Sequence, residues 1–331
     1  MTIKQALSRA RGILAGNNIE DVPLECELLL RHALKISQTQ LYLDLDYELS
    51  PKQEDAFWRL IKRRLNGEPT AYITGHREFY GLDFYVDPHV LIPRPESELL
   101  VETALGLAQN HPLFTIAEIG TGCGAIAISL ALSLPEAKIY ATDISAAALK
   151  VALLNCQKHG VIDRLYLLQG DMLDPVPEPV DLIIANLPYV EESELAQMSS
   201  AKFEPLLALN GGSDGTEMIR KLCCQVGSKL RPGGCLLLEI GQGQRRAITA
   251  FLHTLFPNGE IKVVPDLSSI DRVISLSLTT SKPELANAQL SVQDYEPEGP
   301  FDAKKVGETS RGAAIAAIAN NPRQNPQGNK G

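Results

Sequence analysis

Apolar residues recur at helical spacing in three stretches near the amino terminus, Ile3 to Leu14, Val22 to Leu34 and Ala56 to Leu65, and that spacing predicts three amphipathic helices. Ser50-Pro51-Lys52-Gln53 supports the last: Ser50 caps, Pro51 fits the first turn, and Gln53 reaches back to complete a capping box. Residues 1–70 therefore read as a small helical domain. Over residues 71–92 the pattern changes. Tyr72 and Ile73, then Phe79, Tyr80, Leu82, Phe84 and Val86 around Gly75 and Gly81, predict a strand pair that packs on both neighbours as a connector.

From residue 93 to 280, short β-rich runs alternate with helical stretches, the pattern of a parallel sheet covered by helices. The strands are expected at Thr115–Ile119, Lys138–Thr142, Leu165–Leu168, Leu182–Ala185, Cys235–Ile240, Ile261–Val264 and Val273–Leu278. The expected fold is α/β, with a doubly wound, mostly parallel seven-stranded sheet. Residues 281–331 turn to Asn, Gln, Pro, Gly and Ser, with six acidic side chains offsetting six basic ones. Such a composition buries too little apolar surface to offset the entropy of ordering, so a disordered tail is expected there.

Composition narrows the function classes. A length of 331 residues with 44% hydrophobic content suits one large domain or two. The formal charge of -9 argues against binding nucleic acid through its phosphates, which needs clustered Lys and Arg. No apolar run is long enough to span a bilayer, and the start of the chain lacks the features of a signal peptide, which makes the cytoplasm the expected location and a membrane partner unexpected. The six cysteines are scattered without Cys-x-x-Cys or His at ligand spacing, so no metal site is expected.

The chemistry concentrates at three strand ends. Glu118-Ile-Gly120-Thr121-Gly122-Cys123-Gly124 follows a strand and opens a helix, so its glycines permit a tight turn and a close approach of backbone N–H groups to a ligand. The next strand ends in Asp143, where a carboxylate can hold both hydroxyls of a ribose. The third ends in Gly170-Asp171-Met172, placed for an adenine amino group and an apolar contact. A dinucleotide would want G-x-G-x-x-G. The shorter spacing here, the acidic Glu118 and the lack of a basic phosphate partner favour S-adenosylmethionine, whose cationic methionine end tolerates carboxylates.

The segment Asp181 to Tyr189 runs an apolar strand straight into Asn186-Leu187-Pro188-Tyr189. An amide or exocyclic amine nitrogen is a poor nucleophile because its lone pair is delocalised. An enzyme must accept its N–H protons in hydrogen bonds that aim the lone pair at the methyl group. The Asn186 side-chain oxygen and the Leu187 carbonyl are suitable acceptors, Pro188 biases Leu187 toward an extended conformation, and the Tyr189 ring can cover a planar group. The competing reading is an ordinary strand-ending turn. Upstream, in Leu91-Ile-Pro93-Arg94-Pro95-Glu96-Ser97-Glu98, the two acids suit the first turn of a helix beginning near Glu96. Arg94 is either a substrate or sealing contact or a solvated surface arginine.

These motifs resemble the protein-(glutamine-N5) methyltransferases that modify peptide chain release factors. The resemblance covers about residues 1–280 and rests on Pro69 to Gly75, Phe79-Tyr80-Gly81, Leu91 to Glu98, Glu118 to Gly124, Asn186 to Tyr189, Glu204-Pro205, Leu209 to Gly212 and Asp266 to Arg272. It implies a methyltransferase fold in which Gly120, Thr121, Gly122, Cys123 and Gly124 wrap the methionine end of S-adenosylmethionine. Asp143 would hold the ribose, Met172 would lie beside the adenine, and Asn186 would touch cofactor and substrate alike. The implied target is the glutamine of a Gly-Gly-Gln tripeptide in a release factor, with Asn186, Leu187, Pro188 and Tyr189 binding it. The family's usual motif is Asn-Pro-Pro-Tyr, so Leu187 replaces a proline, and a slightly less rigid loop is expected. Ser97 and Met172 also stand where threonine and an aromatic are familiar. The alternatives are a nucleic-acid exocyclic-amine methyltransferase, a glutamine methyltransferase acting on a ribosomal protein, and a non-catalytic module that retains the fold.

Overall fold

The computed structural model describes residues 1–279 apart from 18, 20, 110–113 and 199. The segment expected to be a disordered tail lies outside the described residues. The amino-terminal region holds helices α1 (Ile3–Ala15), α2 (Val22–Leu34), α3 (Gln38–Leu43) and α4 (Pro51–Leu65). The capping box at Ser50 forms as the sequence predicts, with Ser50 Oγ accepting from Gln53 N–H and Gln53 Oε1 accepting from Ser50 N–H. Helix α3 has no counterpart in the apolar periodicity, because only Leu41 of its six residues is buried. Ile3, Leu7, Leu14, Leu29, Leu30, Phe57 and Ile61 build a core separate from that of the sheet.

Tyr72 and Ile73, expected in a strand, lie instead on a short helix α5 (Thr70–Thr74). Their aromatic and β-branched character suggests a strand, but Pro69 before the helix and Gly75 after it, with φ +75°, punctuate a helix. The two side chains split between cores: Ile73 joins the amino-terminal cluster and Tyr72 the sheet cluster. The hairpin itself is β1 (His76–Phe79) paired antiparallel with β2 (Leu82–Tyr85). After it comes α6 (Glu98–Ala108), entered through a turn of 3-10 helix at Pro95–Ser97.

The remaining elements alternate as β3 (Thr115–Ile119), α7 (Ala125–Ser133), β4 (Lys138–Asp143), α8 (Ala146–His159), β5 (Leu165–Gln169) and β6 (Val180–Ala185). They continue with α9 (Glu192–Leu195), α10 (Glu217–Lys229), β7 (Leu230–Glu239), α11 (Arg245–Leu255), β8 (Glu260–Pro265) and β9 (Asp271–Ser277). All seven expected strands are present, each within a few residues of its expected ends; β7 begins earliest relative to expectation, because Leu230 already pairs with Val180. The sheet order is β5-β4-β3-β6-β7-β9-β8, with β9 alone antiparallel to both neighbours. Alternate residues feed opposite faces: Ile116, Leu182 and Ile184 pack against α6, α7 and α8, while Ala117, Ile183, Leu236 and Leu238 pack against α10 and α11. The strand order reverses between β3 and β6. In open α/β sheets, ligands bind in the crevice at the carboxyl ends of such a pair, and these two ends carry the glycine loop and Asn186.

Candidate active site

Gly120, Gly122 and Gly124 have φ of +72°, +55° and +85°, a left-handed backbone that side chains rarely tolerate. A Cβ at Gly122 would meet open space, whereas one at Gly120 would press on Leu187 at 3.3 Å. Four of the five loop N–H groups are engaged within the protein. Gly120 and Thr121 both donate to Thr142 O, Gly122 donates to Asp143 Oδ2 at 2.9 Å, and Gly124 donates to Thr121 O. The loop is thus tied to the end of β4 and flanked by acids, an environment for a cation and not for a pyrophosphate.

Two carboxyls define that environment. Glu118 is 2% exposed, and its Oε2 accepts from Thr121 Oγ1 at 2.5 Å and from Ala127 N–H at 3.1 Å. Burial pushes it up to about 8 despite those bonds. Asp143 accepts from Gly122 through one oxygen and from Ser145 N–H through the other, and burial raises it as well. A ligand carrying an ammonium and a sulfonium at the loop and a ribose at Asp143 fits these residues. Behind the loop, Asn155 is fully buried: its Oδ1 accepts from Tyr85 N–H, and its Nδ2 donates to Tyr85 O and Cys123 O, all within 2.9 Å. It ties the loop to the β1–β2 hairpin.

The other predicted cofactor residues fare differently. Cys123 lies buried in the sheet core and is pushed up to about 12 by burial, which makes it inert packing. Met172 adopts a left-handed φ of +47° and is 9% exposed at the rim, its carbonyl accepting from Thr142 Oγ1. Asp171 is engaged elsewhere, in an ion pair with the half-exposed Lys221.

Asn186 follows β6 and donates from Nδ2 to Ser97 Oγ at 2.8 Å, and its Oδ1 has no hydrogen-bond partner among the described residues. Leu187 is 4% exposed and lies over Gly120. Its buried side chain packs where it can restrain the loop. Tyr189 is seated by three glycines. A Cβ at Gly211 would strike Tyr189 Cα at 2.7 Å, one at Gly215 would strike Tyr189 O at 2.5 Å, and one at Gly241 would approach the ring at 3.1 Å. Gln244 Nε2 donates to Tyr189 O at 2.9 Å and to Gly215 O at 3.0 Å, while its Oε1 accepts from Gly241 N–H. The Tyr189 hydroxyl donates to Glu239 Oε1 at 3.3 Å.

Arg94 is neither a free surface cation nor an uncommitted substrate arm. Its Nη2 meets Glu204 Oε2 at 2.5 Å, and the other oxygen of that buried acid accepts from Ile92 N–H. Glu98 accepts from Tyr80 N–H at 2.8 Å, fixing the hairpin tip in addition to any favourable interaction with the helix dipole. Sequence reasoning missed Ser97 as the partner of Asn186, and missed Glu239, Gln244 and Asn155 entirely. Glu239 did carry one readable signal, an acid ending an apolar strand, as Glu118 and Asp143 do.

Comparison with known proteins adds a separate observation. Residues 5–75 match the family described as PrmC N-terminal domain, and residues 95–203 match the methyltransferase small domain. A release factor glutamine methyltransferase of Moorella thermoacetica is 43% identical, across 82% of this chain and 97% of that one. One of Koribacter versatilis is 39% identical, across 83% and 98%. The crystal structure of the hMettl16 catalytic domain, solved with a MAT2A 3′UTR hairpin, shares 15% identity over 62% of this chain and 78% of its own, with a TM-score of 0.50; it is alike in fold.

Proposed function

The chain belongs to the release factor glutamine methyltransferases, and from that premise we propose that Asn186, Leu187, Pro188 and Tyr189 carry methyl transfer to the side-chain amide nitrogen of a release-factor glutamine, the one in its Gly-Gly-Gln tripeptide. The observation that carries this reading is the 2.8 Å bond from Asn186 Nδ2 to Ser97. It fixes the amide so that Oδ1 is the acceptor left for substrate, beside the glycine loop.

S-adenosylmethionine, when bound, supplies an electrophilic methyl group. Gly120, Thr121, Gly122, Cys123 and Gly124 shape its site, with Asp143 for the ribose and Met172 at the adenine edge, next to Asp171 in its ion pair with Lys221. Asn186 Oδ1 and the Leu187 carbonyl accept the two glutamine amide protons, which raises the electron density on the nitrogen and orients the amide so that its lone pair faces the methyl group. Tyr189 covers the planar amide with its ring, and Pro188 holds the Leu187 carbonyl outward. As the nitrogen is alkylated the amide releases one proton to solvent water. Arg94, through Glu204 and Ile92, holds the segment before α6 against the substrate side of the cleft. The helical region of residues 1–70 grips the protein substrate; half-exposed Tyr42 and Tyr47 and exposed Leu43 give it the apolar surface to do so.

The test is incubation with labelled S-adenosylmethionine and a purified release factor, the same factor with Gly-Gly-Gln changed to Gly-Gly-Ala, a ribosomal protein fraction, or nucleic acid. Label is expected on the unaltered factor alone. Label on nucleic acid, or equal label on the altered factor, would sink the reading. The net charge of -9 already weighs against a nucleic-acid substrate.

A further inference from the structure

Glu239 ends the central strand β7 at 1% exposure, a buried carboxyl with no role in the chemistry described so far. Its Oε1 accepts from the Tyr189 hydroxyl, while its Oε2, equally buried, has no hydrogen-bond partner among the described residues. Ser97, itself 3% exposed, spends a lone pair on Asn186 Nδ2 and so has its own O–H to place. The carboxylate it faces is that of Glu239.

We propose that Glu239 is a positioning residue for methyl transfer: as a carboxylate it draws the hydroxyl protons of both Ser97 and Tyr189, which turns the Ser97 lone pair toward Asn186 and holds the Tyr189 ring over the substrate amide. This rests on the assignment of Asn186 and Tyr189 made above. A carboxylate only accepts, whereas a carboxylic acid or an amide also donates. With a donor at 239, Ser97 can accept from that residue instead of from Asn186. The Asn186 amide then loses the bond that orients it, and Oδ1 no longer faces the substrate by default. The charged groups around Glu239 are Arg272 from β9, which favours its ionised form, and Glu96 from the turn before α6, which opposes it; burial raises its proton affinity further. The switch between accepting and donating therefore sits closer to neutral pH than for a solvated glutamate.

The experiment compares Glu239→Gln with the wild-type enzyme, using the purified release factor as substrate. The expected result is a kcat lowered by roughly 10- to 100-fold, with the dissociation constant for S-adenosylmethionine and the KM for the release factor each within about threefold of wild type. The wild type is expected to lose kcat as Glu239 is protonated on the acidic side, and that limb is expected to vanish in the variant. Wild-type kcat and an unshifted profile would overturn the proposal, and so would a loss of cofactor affinity equal to the loss of activity. If Glu239→Gln does not fold, Tyr189→Phe and Ser97→Ala, singly and together, remove the two donors. Their effects on kcat should be non-additive, and strict additivity overturns the shared acceptor. Asn186→Ala is run beside them. If it is active, the site assignment itself fails; if it is inactive while Glu239→Gln matches wild type, only Glu239 falls.

Discussion

Ser97 and Asn186 are 89 residues apart in sequence and joined by one 2.8 Å hydrogen bond. In the role proposed for Asn186, that bond sets which end of its amide faces the substrate, so its loss should affect turnover more than binding. Asn186→Ala is expected to lower kcat by about 100-fold or more while the cofactor dissociation constant changes by less than about threefold. Ser97→Ala should cost about tenfold in kcat, and Ser97→Thr, which keeps the hydroxyl, should be near wild type. Initial rates with the release factor and equilibrium titration of the cofactor separate the two quantities. Full activity in Asn186→Ala would refute the acceptor role.

What the sequence displayed and what it hid follow one physical division. The strands β3 and β6 are mostly apolar, each with a single acid, because both of their faces are covered, and so they stand out. The glycine loop and Asn186 to Tyr189 are contiguous, and their meaning survives without neighbours. Asn155, Ser97, Gln244 and Glu239 each bond a residue 50 to 89 positions away, and in the sequence each is one polar residue among many. The direction of the loop N–H groups was misread for the same reason: their acceptors, Thr142 and Asp143, belong to the next strand.

Asn155 satisfies Tyr85 N–H, Tyr85 O and Cys123 O with one buried amide. Asn155→Ala strands all three, and each unmade bond to a buried group costs about 1–3 kcal/mol. The variant is expected to be less stable by about 3 kcal/mol in denaturant unfolding, and under conditions where it is folded it should bind S-adenosylmethionine more weakly, because Cys123 belongs to the cofactor loop. Unaltered cofactor affinity in the folded variant would show that the hairpin and the loop are not coupled through this side chain.

Gln244 donates to two carbonyls and accepts from one N–H, a pattern only an amide can meet. Gln244→Glu keeps the size and the acceptor but sets a carboxylate against the carbonyl oxygens of Tyr189 and Gly215. The expected outcome is a KM for the release factor raised by about tenfold, with cofactor binding unchanged, and Gln244→Ala milder than Gln244→Glu. The opposite ranking of the two variants would mean that the donor bonds contribute nothing.

Leu187 tests whether packing has replaced proline in this loop. Because its side chain is buried over Gly120, Leu187→Ala should destabilise the protein by about 2–3 kcal/mol and loosen the substrate loop. Leu187→Pro should keep most of the activity, since the carbonyl survives and the ring restrains Asn186 instead. An inactive but folded Leu187→Pro would show that the leucine side chain has a task of its own beyond restraint.

Glu118 gives the protein a pH dependence of defined sign. Its folded-state value is raised from 4.5 to about 8 by burial, so the folded protein takes up a proton that the unfolded chain would release. That preference favours folding at low pH. It is lost as pH rises from about 4.5 through about 8, at a slope of at most about 1.4 kcal/mol per pH unit for one group. Asp143 and Glu239 shift in the same direction, so the sign of the wild-type slope alone does not isolate Glu118. Glu118→Gln does: its amide oxygen can still accept from Thr121 and Ala127, and it carries no charge at any pH. In cofactor-free protein followed by thermal unfolding, the variant should match or fall below wild type at pH 5 and exceed it at pH 9, with a flatter profile between. A variant less stable than wild type at pH 9 would mean that the buried carboxylate is compensated by the loop around it, and that Glu118 is ionised throughout the range in which the enzyme works.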